Sequence, residues 1–173
     1  MGEDRAAPEK LNGLLGSLDM STSKLGCDAF LALAAIGWAD GVLDADEGAG
    51  ILRAAREEKL SPADLAIVER ATHERIDMAA IDHARLSAVE RTFLYACAVW
   101  LARLDGRVDP AEKHALHDLG DALGIPDSVR THASAAALEV AQLPSGDRAA
   151  RYDFRRLRAR VEERLANAGV TPP

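Results

Sequence analysis

Two stretches, Ala29 to Ala39 and Thr92 to Ala102, are apolar almost all the way round a helix, while the segments between them alternate apolar and charged positions at spacings of three and four. Helices that are apolar all round sit in the middle of a bundle, and one-sided helices pack around them. The pattern predicts seven helices, each with recognisable start or stop signals. The first covers about Ser23 to Ala39. The second opens after Asp44, which has Glu47 three residues on as a capping box, and ends near Lys59. Ser61-Pro62-Ala63-Asp64 opens the third, with Pro at the first helical position. Around Ile76 to Leu86 the pattern blurs into a break or a short helix. Ser87-Ala88-Val89-Glu90 is a second capping box and opens the fourth helix. Asp109-Pro110-Ala111-Glu112 opens the fifth, which Gly124-Ile125-Pro126 closes. The sixth covers about Ser128 to Gln142, and the seventh about Asp147 to Asn167 after the turn Leu143-Pro144-Ser145-Gly146.

The expected fold class is therefore all-α, a bundle of about seven helices. Composition agrees: 34 Ala stand against 20 Val, Ile and Thr together, which favours helix over strand. A chain of 173 residues suits one domain. Residues 1–22 lack a sustained period beyond Leu11-Asn12-Gly13-Leu14-Leu15 and are expected to be a loosely ordered arm. Residues 23–143 form the helical domain, and residues 144–173 an Arg-rich amphipathic helix expected to dock on it.

The longest apolar stretches are about half the roughly 20 residues needed to span a bilayer, and the charged N-terminus has no secretory pattern, so a cytoplasmic location is expected. Cys27 and Cys97 each lie in an apolar run and read as small hydrophobes. The net charge of −7 argues against nucleic-acid binding, which needs a basic face. Charge is unevenly spread: Arg148 to Arg164 carries +4 and the rest of the chain −11.

Setting Asp40 against Asp105 aligns two halves at an offset of 65 residues. Asp40-Gly41, Asp44 and Glu47 then match Asp105-Gly106, Asp109 and Glu112, while Phe30, Leu43 and Ile51 meet Tyr95, Val108 and Leu116. A duplicated helical hairpin, related by a pseudo-twofold axis, is the expected origin. Helix capping explains most of the shared turn: Gly41 and Gly106 end one helix, Asp44 and Asp109 cap the next, and Glu47 and Glu112 close the boxes. It leaves Asp40 and Asp105, whose charge at a helix C-terminus is opposed by the macrodipole by roughly 0.3–1 kcal/mol. A hydrogen bond to turn amides would offset that, and so would a bound cation.

Compared with the EF-hand loop, Asp40, Gly41, Asp44 and Glu47 fall on positions 5, 6, 9 and 12, as do their counterparts. Positions 1 and 3 are Ile36 and Trp38 in one copy and Leu101 and Arg103 in the other, so an EF-hand is excluded. Trp38-Ala39-Asp40-Gly41-Val42-Leu43-Asp44-Ala45-Asp46-Glu47, followed by Asp105-Gly106-Arg107-Val108-Asp109-Pro110-Ala111-Glu112, resembles the TerB-like family of tellurite-resistance proteins over about residues 24–143. The resemblance implies an all-helical domain linked to tellurite and general stress resistance. It also implies a divalent-cation role for the acidic turns, calcium among the candidates, with relatives that serve as modules in larger proteins, including a membrane-anchored co-chaperone. Asp40, Asp44, Glu47, Asp105, Asp109 and Glu112 thereby become the candidate metal ligands. Their all-oxygen chemistry suits Ca²⁺, Mg²⁺ or Mn²⁺. In the second half Leu104 precedes Asp105 and Arg103 stands close by, a guanidinium that could pair with a carboxylate in place of a metal ion.

His114, His117 and Asp121 share a helical face, but no Glu lies within a zinc-hydrolase arrangement, and solvent-facing histidines are the simpler reading. No phosphate loop, nucleophile elbow or Cys–His pairing is present, so neither an enzyme nor an organic cofactor is expected. In the last helix, Phe154, Leu157, Val161 and Leu165 form an apolar stripe among Arg151, Arg155, Arg158 and Arg160. Packing on the acidic body is the expected use of that helix, with a protein partner or an anionic membrane surface as the alternative. The function expected overall is a non-enzymatic module acting through protein contacts, either cation-binding at its turns or metal-free with the turns as caps alone.

Overall fold

The computed structural model describes residues 24–38, 41–102, 110–144 and 154–172, apart from the side chains at 111 and 112. Seven α-helices run through the described residues: α1 (Cys27–Gly37), α2 (Ala45–Glu57), α3 (Pro62–His73), α4 (Ala88–Leu101), α5 (Pro110–Ala122), α6 (Asp127–Ala141) and α7 (Phe154–Ala168). No strand occurs among them. The fold is an all-α bundle, and the two stretches that are apolar all round form its centre. Phe30, Leu33 and four alanines of α1 are buried, as are ten residues of α4 from Glu90 to Trp100. α1 packs on α2, α3 and α4, and α4 packs on α5, α6 and α7.

One buried carboxylate joins the two central helices at their N-termini. Glu90 closes the α4 capping box, accepting from the Ser87 backbone N–H and hydroxyl at 2.8 Å each through Oε2. Its other oxygen accepts from the Gly26 N–H at 2.8 Å. Gly26 is the N-cap of α1 and has no side chain of its own to offer. Two positively polarised helix ends thus share one negative charge, a favourable arrangement. This contact also sets the start of α1 at Cys27, later than the apolar pattern alone suggests, because the Gly26 amide is directed to Glu90 in extended backbone.

The segment between α3 and α4 folds as two 3₁₀ turns, Met78–Ala80 and His83–Arg85. Asp77 and Asp82 begin them in the same way, each accepting at 3.0 Å from the amide two residues on. Ile81 and Leu86, which follow the turns, are buried and fasten the segment to the core.

The offset of 65 residues extends well past the hairpin. α2 and α5 are both 13 residues long and begin at 45 and 110. Both close in a Schellman motif. Leu60 N–H donates to Ala55 O and Lys59 N–H to Arg56 O in the first copy; Ile125 N–H donates to Gly120 O and Gly124 N–H to Asp121 O in the second. The left-handed residue is Lys59 in one (φ 59°) and Gly124 in the other (φ 64°). α3 and α6 then begin at 62 and 127. The matched unit is a three-helix one, α1–α2–α3 against α4–α5–α6.

α7 stands outside this repeat and packs on α6 and α4. Leu157, Val161 and Leu165 are buried, and Phe154 meets Phe93 and Trp100 edge-on at centroid distances of 6.4 and 6.0 Å. Its arginines reach the C-terminal end of α2. Arg155 donates to the Glu57 carbonyl at 2.9 Å, and the buried Arg158 lies 3.7 Å from Glu58 and 3.2 Å from Glu162. Cations at a helix C-terminus interact favourably with its exposed carbonyls.

Candidate functional site

The first acidic turn links the end of α1 to the start of α2. α1 stops at Trp38, whose N–H donates to Ala34 O at 3.0 Å, and Gly41 N–H donates back to Trp38 O at 2.9 Å. Gly41 has φ +95°, a conformation that favours glycine. The Trp38 indole N–H donates to the Ala71 carbonyl at 2.9 Å and so ties the turn to the end of α3. Leu43 is buried against Gly37, where an added Cβ would come within 2.4 Å of its Cδ1. These contacts fix the backbone on both sides of the acidic residues. The anchoring role of Trp38 was not legible in the sequence, because an indole N–H finds its acceptor only through tertiary packing.

Asp44 is the N-cap of α2. Its Oδ1 accepts from Asp46 N–H at 2.8 Å, and Glu47 Oε2 accepts from Asp44 N–H at 3.2 Å, completing the capping box. Asp44, Asp46 and Glu47 are thereby gathered at one helix N-terminus. That end of the helix already stabilises negative charge, which lessens the need of these three for a counter-ion. Behind Glu47 the surface is apolar, formed by Leu33, Leu43, Ile51 and Leu101.

Asp40, Asp105 and Asp109 lie outside the described residues, as does the side chain of Glu112. Glu112 occupies the third position of α5, as Glu47 does in α2. Of the six candidate ligands, Asp44 and Glu47 are the two whose side chains are placed, and they are placed together. Among the described residues no three His, Cys, Asp or Glu side chains are grouped to hold a metal ion.

The remaining sequence candidates separate clearly. On α5, His114 Nε2 lies 3.4 Å from Asp118 and His117 Nδ1 lies 3.4 Å from Asp121, with both rings largely exposed. These are surface pairs rather than converging zinc ligands. Cys97 is fully buried, and burial pushes its thiol well above its ordinary pKa. The Cys27 thiol is also raised, first by burial and then by the neighbouring Asp64 and Asp28 carboxylates. Neither has the electropositive setting of a reactive cysteine. No helix among the described residues is long and apolar enough to cross a membrane. Compared with known proteins, the chain matches no family model, no curated protein and no solved structure.

Proposed function

We propose that this chain is a TerB-like, non-enzymatic helical module that binds a hard divalent cation at its two acidic turns and acts through protein contacts in a stress response of the tellurite-resistance type. The observation that carries the reading is the 65-residue repetition of the acidic turn together with the helices around it. Capping by Asp44 and Glu47 does not account for Asp40 and Asp105, the matched carboxylates that follow α1 and α4 in the sequence. Ca²⁺, Mg²⁺ or Mn²⁺ would be held by Asp40, Asp44 and Glu47 in one turn and by Asp105, Asp109 and Glu112 in the other. All of these donors are oxygens, as those ions require.

A metal-free helical adaptor is the second reading, and the complete capping box at Asp44 favours it. A protein partner is favoured over a membrane surface because Arg155, Arg158, Arg160 and Arg164 are each already paired with a carboxylate. Calorimetric titration of metal-stripped protein with each ion separates the two readings. Cation binding gives heat that falls away in Asp40→Ala and Asp105→Ala. No heat with any of the three ions overturns the proposal and leaves the adaptor.

A further inference from the structure

The two halves share a register but differ in packing. α2 turns Gly48, Gly50, Ile51, Ala54 and Ala55 inward and packs on both α1 and α3. Gly48 lies so close to α3 that an added Cβ would be 3.2 Å from the Cβ of Thr72. In the second half the residue matching Gly48 is Lys113, which is exposed, so that position is not closed over as Gly48 is. Among the described residues α5 packs chiefly on α4, while α6 packs on α4 and α7. From 113 to 119, only Leu116 and Leu119 are even partly buried.

Arg130 spans the looser junction between α5 and α6. Its side chain is 13% exposed, and its NH2 donates to Asp121 Oδ1 at 2.6 Å. Its Nε donates to Ile125 O at 2.6 Å and its NH1 to His117 O at 3.4 Å. The guanidinium lies across Gly120, where an added Cβ would come within 2.5 Å of Nε. The hydrogen bond from Arg130 holds the Asp121 carboxyl below its usual range. Beyond this junction the chain is firmly held: Leu123 and Ile125 are buried on either side of Gly124, and Arg91 donates to the Leu123 carbonyl at 3.2 Å.

We infer that α5 is a flap that opens separately from the rest of the bundle, hinged at Gly124 and latched by Arg130. Opening breaks the Arg130 bonds to His117 and Asp121 and uncovers Leu116, Leu119 and the face of α4 beneath them. α2 has no equivalent motion, because Gly48 is packed directly against α3. Regions of low local stability are those with few buried apolar contacts, which among the described residues is the condition of α5 and not of α2.

Residue-resolved hydrogen exchange on the full chain, at neutral pH without denaturant, tests this. Amides of residues 115–122 are expected to exchange about tenfold or more faster than those of residues 51–57, after correction for intrinsic rates. Arg130→Gln is expected to raise α5 exchange by about tenfold again while α2 stays within about twofold. Asp121→Asn, which removes only the ionic part of the latch, is expected to act on the same amides by a smaller factor. Equal protection of α5 and α2 in the unaltered protein overturns the flap. Substitutions that leave α5 exchange unchanged, or that raise α2 and α5 together, overturn the latch. Should Arg130→Gln fail to fold, the unaltered protein and Asp121→Asn still decide the matter.

Discussion

Replacing Leu157 by Ala tests whether α7 is integral to the bundle. Leu157 is fully buried on the apolar face of α7, flanked along the helix by the buried Val161 and the half-buried Phe154. Truncating such a leucine removes transfer free energy and leaves a cavity, together about 2–5 kcal/mol. Phe154, one turn back on the same helix, is a rigid ring held edge to face by Phe93 and Trp100, so the site can collapse only in part, which places the loss near about 3 kcal/mol. In a protein of this length each kcal/mol shifts the melting temperature by about 2–4 °C. The expected fall is therefore about 6–12 °C, followed by circular dichroism on heating, with Arg156→Ala on the exposed side of the helix moving the midpoint by about 1–2 °C at most. A Leu157→Ala protein that melts with the parent would refute the docking of α7 on α4 and α6. A fall of similar size in Arg156→Ala, where no burial is lost and helix propensity rises, would show that burial does not set the result.

Lys59 occupies the left-handed position that Gly124 holds in the second half, and a residue with a Cβ is disfavoured there. Lys59→Gly is expected to stabilise the protein by about 0.5–1 kcal/mol in urea unfolding, after the greater chain entropy of glycine in the unfolded state is allowed for. Acid should weaken two contacts between helices. Arg130 lowers the pKa of Asp121 and Arg164 lowers that of Glu139, in both cases chiefly through a hydrogen bond. A carboxylate with a lowered folded pKa stabilises fully above its unfolded value and loses that contribution as pH falls through the folded one. The contribution of both pairs is therefore complete above about pH 5 and declines below about pH 4. Because both carboxylates are exposed, the effect should be small. It should appear as a fall in melting temperature that is shallower in Asp121→Asn with Glu139→Gln than in the parent.

Most helix starts were legible because the residues that signal them act locally. The capping boxes at Asp44 and Ser87 and the cap at Ser61 with Pro62 behind it all form as their spacing predicts. Such signals need only neighbours within a few positions. The start of α1 was misplaced for the opposite reason, since its cap comes from Glu90, 64 residues away. The pentads Ile76-Asp77-Met78-Ala79-Ala80 and Ile81-Asp82-His83-Ala84-Arg85 carried a readable signal. Each places an Asp two residues before the amide it accepts from, and the structure uses both alike. The identities mark only a hairpin although the repeat spans three helices, because α3 and α6 share the register of their starts and buried positions but few identities. In the candidate site, the capping roles of Asp44 and Glu47 were legible for the same local reason. The Trp38 link to Ala71 and the Arg130 junction were not, since both depend on which helices meet.

Crystals grown in manganese decide, by anomalous diffraction, whether the repeated turns hold a cation. A peak at each turn is expected, with carboxylate oxygens of Asp40 and Asp105 as ligands and no peak in the corresponding Ala variants. Saturating manganese with no anomalous peak at either turn, and with Asp40 and Asp105 hydrogen-bonded to turn amides, would contradict cation binding and leave the acidic turns as helix caps alone.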